Sequence, residues 1–524
     1  MNSVHHWAQR FIVTEDDLEY LNGILLEREI PLKTEELAAA LIEQKLAQES
    51  ASLEARYKNV RIYNPADRYE AEQKIMFSAQ DYRVGTVIDV REGNNPSAYG
   101  DYKVVRIRFD DQELEQDYAA ALTLPHKLND AANGEMNGAP WHNAFTAEEI
   151  LAQARDLIVG LTLDALQNSK DLVSVTGKWF PSSLMLEVNE GHLNLTEAVL
   201  FMMEGRPLTT SEILEQIGGI GSAAPVLQEF CLNHVLSNDA RFDEVGPVDQ
   251  VLWVLRVTEP AEASTPPPML VYTPVDYDRG LLTPEMVRLE IEIDDEWSDI
   301  PDDHEGELVD STEITLNYPH RRMGTLPLNA RMRRVFPTAR RTPRIYVRLV
   351  DGQDGEEYAG WVVRAQRYVF GLTPIFQKHK LPVGAQIMIR RSPDGAKIIV
   401  DYEAYKPRTE WIRIITPKDG QIGFQDQKRP IGAHYDEMML LGADDLGLVD
   451  ALFNSNHRKS VAVLAKNTLT ELSRAAPQNP IHGKTIYSAV NVLRRVPPGL
   501  LFATMINNPD FEYVGNNYWK LSGV

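Results

Sequence analysis

Apolar and polar residues alternate along this chain with two periods, which predict a mixture of helices and strands. Apolar positions recur every three to four residues, the pattern of amphipathic helices, in segments 147–166, 227–236 and 500–506. Alternation with a period of two, typical of half-buried strands, occurs in segments 85–90, 102–109, 345–350 and 397–402. A chain of 524 residues with both patterns predicts several domains of the α+β class.

Two segments repeat one order of predicted elements: an apolar-periodic helix, a polar turn and a hairpin. In the middle of the chain the hairpin strands are 242–246 and 253–255, and near the C-terminus they are 511–515 and 519–521. Each second strand begins with a tryptophan. A helix–turn–helix followed by such a hairpin, or wing, is the winged-helix arrangement, so the chain is predicted to contain winged-helix repeats.

A third repeat is predicted at the N-terminus, interrupted by an insertion of about ninety residues. Leu25-Leu26-Glu27 followed by Pro31-Leu32 resembles the entry to the middle repeat, and a hairpin at 172–180 follows the helix at 147–166. The insertion itself alternates in strand period, which predicts a small antiparallel β-barrel of SH3 or KOW type. Such barrels bind peptides or RNA, or are purely structural.

The middle repeat, roughly residues 191–256, resembles the HARE-type winged helix. This module is shared by the delta subunit of bacterial RNA polymerase and several chromatin and restriction proteins. The residues that carry the resemblance are Gly205-Arg206-Pro207-Leu208, Ser211-Glu212-Ile213, Arg241-Phe242 and the Trp253-x-Leu255 ending. The C-terminal repeat resembles the module more weakly because it lacks the Gly-x-Pro-Leu turn. These are core and turn positions, so the resemblance implies a fold rather than an activity.

Charge is distributed very unevenly along the chain. The formal net charge is −23, yet segment 321–429 holds 22 Lys and Arg against 10 Asp and Glu. Nine of those arginines lie between Arg321 and Val350, where no acidic residue occurs, while segment 285–313 has thirteen acidic residues and one arginine. Such segregation predicts a polyanion-binding module. The alternative is that the basic face docks against the acidic segment 290–310 or the acidic N-terminal half of the same chain.

The order of strands predicted for this basic region resembles the plant-type DNA-binding pseudobarrel, found in auxin response factors and in effector domains of some restriction enzymes. The matching residues are Leu326-Pro327, Asp351-Gly352, Trp361, Tyr368 to Thr373, Phe376 and Leu381-Pro382-Val383-Gly384. Pro374-Ile375 and Ala385 depart from the family pattern. The resemblance implies two loop arms that grip the major groove, here around residues 331–344 and 358–367.

The candidate nucleic-acid contacts are the arginines of these arms, a strand arginine between them and an arginine pair in the C-terminal repeat. They are Arg331, Arg333, Arg334, Arg340, Arg341, Arg344, Arg348, Arg364, Arg367, Arg494 and Arg495. A planar guanidinium group can contact phosphate or guanine through two hydrogen bonds, which suits this task. For the last two arginines the alternative is a solvated pair on an amphipathic helix.

Turn-rich and proline-rich stretches predict the domain boundaries. The predicted domains are 1–60 with 140–189 (winged-helix-like), 61–130 (inserted barrel), 190–257 (HARE-type winged helix), 258–315 (Pro-rich and acidic linker), 316–429 (basic pseudobarrel) and 430–524 (winged-helix-like). The acidic part of the linker, 290–310, is predicted to be solvated and partly disordered because few apolar groups offset the entropy of ordering.

Signatures of catalysis are incomplete. Gly483-Lys484-Thr485 is similar to the end of a phosphate-binding loop, but Gln478 stands where that loop requires its first glycine. The single cysteine, Cys231, lies in an apolar pattern that predicts a buried thiol, and it excludes an internal disulfide. We therefore expect no catalytic residues, no cofactor and no metal ion.

The sequence thus predicts a non-enzymatic DNA-binding protein of transcription or genome control, with double-stranded DNA as its partner. Two alternatives remain: a protein-interaction scaffold that docks on RNA polymerase or on a defence or restriction complex, and a restriction-type effector whose nuclease is a separate chain. No apolar run approaches the ~20 residues of a membrane span and no signal peptide is evident, so a cytoplasmic or nucleoid-associated location is expected. The oligomeric state is not indicated.

Overall fold

The computed structural model describes residues 4–57, 60–77, 83–94, 100–110, 115–124, 145–248, 250–300, 308–339, 342–393, 395–474 and 479–523. The chain forms two compact units, Met1–Leu186 and Glu187–Val524. Both mix helices with mainly antiparallel sheets, so the coarse prediction of a mixed α and β architecture is confirmed. None of the described helices is both long enough and apolar enough to cross a bilayer.

The first unit consists of a helical body interrupted by a five-stranded sheet. Its elements are α1 Val4–Gln9, α2 Glu15–Arg28, β1 Leu32–Lys33, α3 Thr34–Tyr57, β2 Arg61–Ile62, β3 Lys74–Phe77, β4 Arg83–Glu92, β5 Lys103–Phe109, β6 Glu115–Ala120, α4 Ala147–Gln167, β7 Leu172–Val175 and β8 Lys178–Pro181. Strand β1 pairs with β8, with Leu32 opposite Trp179. The hairpin predicted at 172–180 is therefore confirmed, and it pairs with a strand that precedes the insertion.

The inserted sheet has the strand order β2-β3-β4-β5-β6, and it is antiparallel except between β2 and β3. Its core contains Ile75, Val105 and Ile107, all fully buried. The phenol of Tyr63 donates to the Ala119 carbonyl at 2.6 Å, which brings the chain after β2 to the opposite edge of the sheet. Five strands and this cross-link agree with the predicted small β domain, and its SH3 or KOW type stays a prediction.

The second unit begins with a small body and continues through short helices into a large sheet. Its first elements are α5 Glu190–Met202, β9 Leu208–Thr209, α6 Thr210–Ile217, α7 Pro225–Leu236, β10 Phe242–Glu244, β11 Leu252–Leu255, α8 Ala261–Ser264, α9 Pro284–Ile293, β12 Ser311–Thr315, α10 Tyr318–Met323, β13 Thr325–Pro327 and α11 Ala330–Arg333. The lone cysteine, Cys231, lies on α7 and is buried, as predicted.

The remainder of the second unit completes this sheet and adds a ribbon and a helical C-terminal body. The elements are β14 Arg344–Asp351, β15 Glu357–Val363, β16 Tyr368–Phe370, α12 Thr373–Lys378, β17 Gln386–Arg391, β18 Lys397–Asp401, β19 Ala404–Ile415, β20 Phe424–Ala433, β21 Leu441–Ala443, α13 Leu446–Asn456, α14 Val461–Ser473, β22 Ile481–His482, α15 Gly483–Leu493, α16 Pro498–Ile506, β23 Phe511–Gly515 and β24 Tyr518–Leu521.

One arrangement recurs three times in the described parts of the chain: helix, short strand, two helices and a hairpin, with the short strand paired to the last strand. The sheets are β1-β8-β7, β9-β11-β10 and β22-β24-β23. In each, a buried tryptophan of the last strand lies opposite the first residue of the short strand, in the pairs Leu32–Trp179, Leu208–Trp253 and Ile481–Trp519. The shared register shows that the repeats are alike in packing as well as in element order.

The large sheet has seven strands in the order β12-β17-β18-β14-β15-β16-β13 and is curved into a half-barrel. Its pairs are antiparallel except β14 with β18. The two edge strands are neighbours in sequence, separated only by α10. The apolar core includes Ile345, Leu349, Val369 and Phe376, all at most 1 % exposed. The strands predicted at 345–350 and 397–402 are confirmed.

The predicted linker 258–315 is wrong, because much of it is folded against the C-terminal body. Helix α9 begins with a Thr283 cap and buries Met286 and Leu289 in the same core as the C-terminal helices. The predicted boundary between 429 and 430 is also wrong, since it cuts strand β20, which pairs along β19 from residue 404 to 415.

The predicted solvation of the acidic segment is wrong for its first part, while residues 301–307 lie outside the described residues. Glu290, Asp294, Asp295 and Glu296 are all buried. Asp295 and Glu296 bind the guanidinium group of Arg495, at 2.6 and 2.7 Å, and none of the three side chains is more than 1 % exposed. We call these three side chains the buried ion cluster. Long-range partners supply the ordering energy that the local sequence lacks.

The two carboxyl groups of the cluster differ. Burial raises the pKa of Glu296, but Arg495 and the imidazole of His320 outweigh it and hold the pKa at about 2. Burial raises the pKa of Asp295 despite Arg495 and a hydrogen bond from the Tyr487 hydroxyl. The cluster is thus a guanidinium–carboxylate pair with a second carboxyl group that protonates more easily.

Replacing Arg495 by methionine should destabilise the second unit by about 3–5 kcal/mol, because Glu296 would remain as a buried charge without its partner. Urea unfolding of the full chain measures this loss. Arg494→Met is the matched control: its half-exposed guanidinium donates to the Lys459 carbonyl at 2.7 Å, so its loss should cost at most about 1 kcal/mol. Equal stability of the two variants would contradict a dependence on the cluster.

Candidate nucleic-acid interface

The first predicted loop arm begins at helix α11, which is positioned by its cap and one buried side chain. The Asn329 side chain accepts from the Met332 backbone N–H at 2.9 Å, and Met332 is fully buried. The residues on either side, Arg331 and Arg333, are exposed because neighbours on a helix point about 100° apart. Arg334, just after the helix, is half-buried. The local sequence therefore directs two guanidinium groups outward.

The second arm, predicted as a loop at 358–367, is strand β15 up to Val363, and only residues 364–367 form a turn, which lies beside the first arm. The Arg364 backbone N–H donates to the Pro343 carbonyl at 3.0 Å, and its guanidinium donates to the Ala339 carbonyl at 2.9 Å. Arg340 and Arg341 stand between these two acceptors in sequence and lie outside the described residues. The two arms are therefore adjacent, and we call Arg331, Arg333, Arg334, Arg364 and Arg367 together the arginine arm.

The acidic segment borders this arm and pairs with part of it. Arg331 lies 3.3 Å from the Asp294 carboxylate, and burial raises the pKa of Asp294 to about 6 against the opposing effect of that guanidinium. Arg367 donates to the Glu296 carbonyl oxygen at 2.8 Å and lies 4.8 Å from the centre of the Trp297 ring. One arginine of the arm thus faces a carboxylate, and another is held by a carbonyl and a ring.

Arg344, predicted as a nucleic-acid contact, is instead held inside the chain. Its guanidinium is 14 % exposed, lies 2.9 Å from Glu259, bonds Asp243 and donates to the Ser264 hydroxyl at 3.0 Å. These partners belong to the body that precedes the large sheet. Burial, followed by the neighbouring Asp243 carboxyl, raises the pKa of Glu259 to about 7. Arg344 therefore joins two parts of the second unit and is not available to a ligand.

Arg348 lies elsewhere, on a groove of about 830 Å³ between the large sheet and residues 206–252. Its guanidinium is 51 % exposed, and its Glu357 partner is 3.9 Å away. Arg206 and Tyr346 also line this groove. Arg348 is therefore accessible at this groove, which Pro337 and Thr338 of the first predicted arm also line.

Of the C-terminal pair Arg494 and Arg495, the second is also wrongly predicted as a nucleic-acid contact. Arg495 is buried in the ion cluster and cannot reach a nucleic acid. Helix α15 is buried at every residue from Thr485 to Leu493, and α16 is buried from Pro498 to Ala503. Neither helix has an exposed face that could enter a major groove. Arg494 alone of this pair is partly accessible.

A different group of side chains resembles a cation site and was not predicted from the sequence. Ligand atoms of Asp351, Asp354 and His379 lie within 4.8 Å of one another. The Lys378 ammonium bonds Asp354 directly and lies 3.4 Å from Asp351 and 2.9 Å from Glu356. A lysine thus already supplies the positive charge that a metal ion would bring. Only the spacing of Asp351 and Asp354 along the sequence hinted at this group.

Replacing Glu259 by glutamine should flatten the pH dependence of stability between about pH 5 and 8. The pKa of Glu259 is about 7 in the folded chain and ordinarily 4.5. Between these two pH values the folded chain therefore binds a proton that the unfolded chain does not. Stability is therefore lost as pH rises through this window, by on the order of 1–3 kcal/mol. The unfolding free energies of wild type and Glu259→Gln, compared at both pH values, measure the difference. Glu262→Gln, at an exposed neighbour, should follow wild type, and parallel curves for all three would count against this role of Glu259.

No protein family, no curated protein and no solved structure matches this chain. The function proposed for it therefore depends on its own residues, above all on the convergence of the two arms.

Proposed function

We propose that this chain is a non-enzymatic, multidomain DNA-binding protein that contacts the duplex through the arginine arm. The observation that carries the proposal is the placement of Arg364 against the Ala339 and Pro343 carbonyls, which joins two arginine-bearing loops. Guanidinium groups on two joined loops suit neighbouring phosphates, and phosphate contacts dominate DNA affinity. A role in transcription or genome control, in the cytoplasm or at the nucleoid, belongs to the same proposal.

We also propose the fold names that the resemblances imply. The winged-helix assignment is supported by the threefold recurrence of element order and by the tryptophan register in each sheet. The pseudobarrel assignment is supported by the seven-stranded half-barrel and by the adjacency of its two loops.

The winged-helix-like bodies are not the proposed DNA contacts. The middle body, residues 190–256, has three basic and ten acidic residues, which would repel phosphate. Its Arg241 is bound by Asp239, Glu197 and Glu190 at 2.7, 2.8 and 3.2 Å. Helices α15 and α16 of the C-terminal body are buried. DNA binding is therefore assigned to the arginine arm.

A protein-interaction scaffold is the second candidate, and one surface favours it. On the middle body Phe201, Met202 and Val257 are 64 %, 76 % and 83 % exposed. Gly205 lies against the Thr258 carbonyl, which brings the end of α5 close to residue 257. Exposed apolar groups of this size are typical of protein contacts, with RNA polymerase or a defence complex as the expected class of partner.

The double variant Arg333→Ala/Arg364→Ala should weaken binding to a 30-base-pair duplex, because it removes two exposed cations from the arm. We expect a loss of roughly tenfold at low salt and a decrease of about two in the slope of log K against log salt. Fluorescence anisotropy across a salt series with the full chain measures both.

The control for this experiment is Arg10→Ala/Arg474→Ala, which removes two exposed arginines outside the arm. It should leave affinity and slope nearly unchanged. Failure of the wild-type chain to bind duplex at low salt, or equal losses in both double variants, would show that the arm is not the contact.

Asp294→Asn should strengthen duplex binding a few-fold at pH 8, because it removes the carboxylate that faces Arg331. Asparagine tolerates the left-handed backbone of residue 294, at φ 47°, so the end of α9 is preserved. Since the pKa of Asp294 is about 6, wild type and variant should converge at pH 5, where the native carboxyl is mostly protonated. The same anisotropy assay at both pH values tests this. Unchanged affinity at pH 8 would mean that the acidic segment does not restrain the arm.

A further inference from the structure

Strands β19 and β20 form an antiparallel ribbon whose two faces differ in chemistry. Ile412, Ile414 and Ile431 are buried on one face, in a core with Leu440. Side chains alternate along a strand, so the opposite face carries Trp411 and its cross-strand partner Lys428. Thr409 and Pro430 form the next pair on that face, and both are exposed.

Trp411 is 64 % exposed, and it is the one exposed tryptophan among the described residues. The Lys428 ammonium lies 5.0 Å from the centre of its ring. Burial of a large apolar side chain stabilises a fold, and an exposed indole contributes none of this stabilisation. The position of this ring on an ordered ribbon is therefore not explained by stability. The ring is therefore placed to contact something outside the chain.

The charges around the ring indicate what that partner is. Lys428 is exposed on the face of the ring, while Lys406 and Arg408 are exposed nearer the start of β19, where Arg408 is paired with Ile431 of the apolar face. Among the described residues none of these three cations lies within 4.0 Å of a carboxylate, whereas Arg429 is paired with Asp444 at 2.8 Å. In a chain of net charge −23, an exposed indole with a lysine over its ring, on a ribbon with further cations that lack acidic partners, favours a polyanion with flat apolar groups.

We propose that this ribbon binds single-stranded nucleic acid, with an unpaired base stacked on Trp411, a flanking phosphate on Lys428 and the strand continuing past Lys406. Stacking on an aromatic side chain contributes about tenfold or more in affinity per base and accepts any base. Duplex DNA hides its base faces within the helix, so an indole face selects unpaired strands. The inference shares with the proposed function only the assumption of a nucleic-acid partner, since it concerns a second surface and a different strand state.

The test compares full-length variants by the anisotropy of a labelled 20-nucleotide oligothymidylate at low salt. Trp411→Ala should weaken binding about tenfold or more, whereas Trp411→Phe, which keeps an aromatic face, should lose about threefold or less. Lys406→Ala/Lys428→Ala should lower the salt slope by up to about 1.4, because each phosphate of a single strand that is no longer neutralised lowers it by about 0.7. Tyr20→Ala is the control, because that aromatic ring is also exposed but belongs to none of the proposed binding surfaces.

Intrinsic fluorescence gives a second readout that reports on the ring directly. Oligothymidylate should quench the wild-type tryptophan emission, and Trp411→Phe should lose most of that quenching, since Trp179, Trp253, Trp361 and Trp519 are buried. Unfolding midpoints of the variants should equal that of wild type because the substituted side chains are exposed.

Each result supports or overturns the inference. Absence of oligothymidylate binding, or wild-type affinity in Trp411→Ala, overturns it and would favour a protein as the partner of the ribbon. An equal loss of duplex binding in Trp411→Ala also overturns it, as the ribbon would not select unpaired strands. Oligothymidylate binding that survives in Arg333→Ala/Arg364→Ala supports a separate site. If the wild-type chain binds the single strand through Trp411 but does not bind duplex DNA, the function proposed for the arginine arm is contradicted and the inference about the ribbon is supported.

Discussion

The organisation of the second unit depends on the buried ion cluster of Arg495, Asp295 and Glu296. Removing ionised groups from water costs several kcal/mol for each, and the cost is offset only when all partners are in place. Arg495 follows helix α15 of the C-terminal body, while His320, which bonds Glu296 at 3.2 Å, comes from α10 beside the large sheet. The cluster therefore fixes the acidic segment against both, and with it the Trp297 ring on which Arg367 lies.

Pairing in space removes much of the charge segregation seen along the sequence. Asp294 faces Arg331, Asp243 and Glu259 enclose Arg344, and the buried cluster takes Arg495. Burial in these ion pairs keeps Arg344 and Arg495 from a ligand, whereas Arg331 stays 46 % exposed in the arginine arm. The basic surface left for a ligand is smaller than the sequence suggests, and it is divided between the arginine arm, Arg348 and the ribbon of β19 and β20.

Local patterns predicted the parts of the fold that local physics controls. Alternation predicted strands of the large sheet, and the repeated pattern predicted the hairpins that carry the tryptophans, including the one at 172–180 beyond the insertion. The pairing of Leu32 with Trp179 was not predicted. The acidic segment was mispredicted because its burial depends on Arg495, some 200 residues away in sequence. The neutralisation of Arg344 was missed for the same reason, as its partners lie on another body. The exposure of Trp411 was not predictable, because alternation alone does not say which face of a ribbon is buried.

The partner of each arginine also decides whether its charge remains available. A carboxylate fixes a guanidinium group and cancels its charge, whereas a backbone carbonyl fixes it and leaves the positive charge in place. Arg364 and Arg367 belong to the second class, bound to the Ala339 and Glu296 carbonyls. A guanidinium has five N–H donors, so one bond to a carbonyl leaves others for phosphate. Because these side chains are already ordered, less conformational entropy is lost on binding. Carbonyl-held arginines are therefore better suited to hold a polyanion than either the paired arginines or long side chains that are free to move.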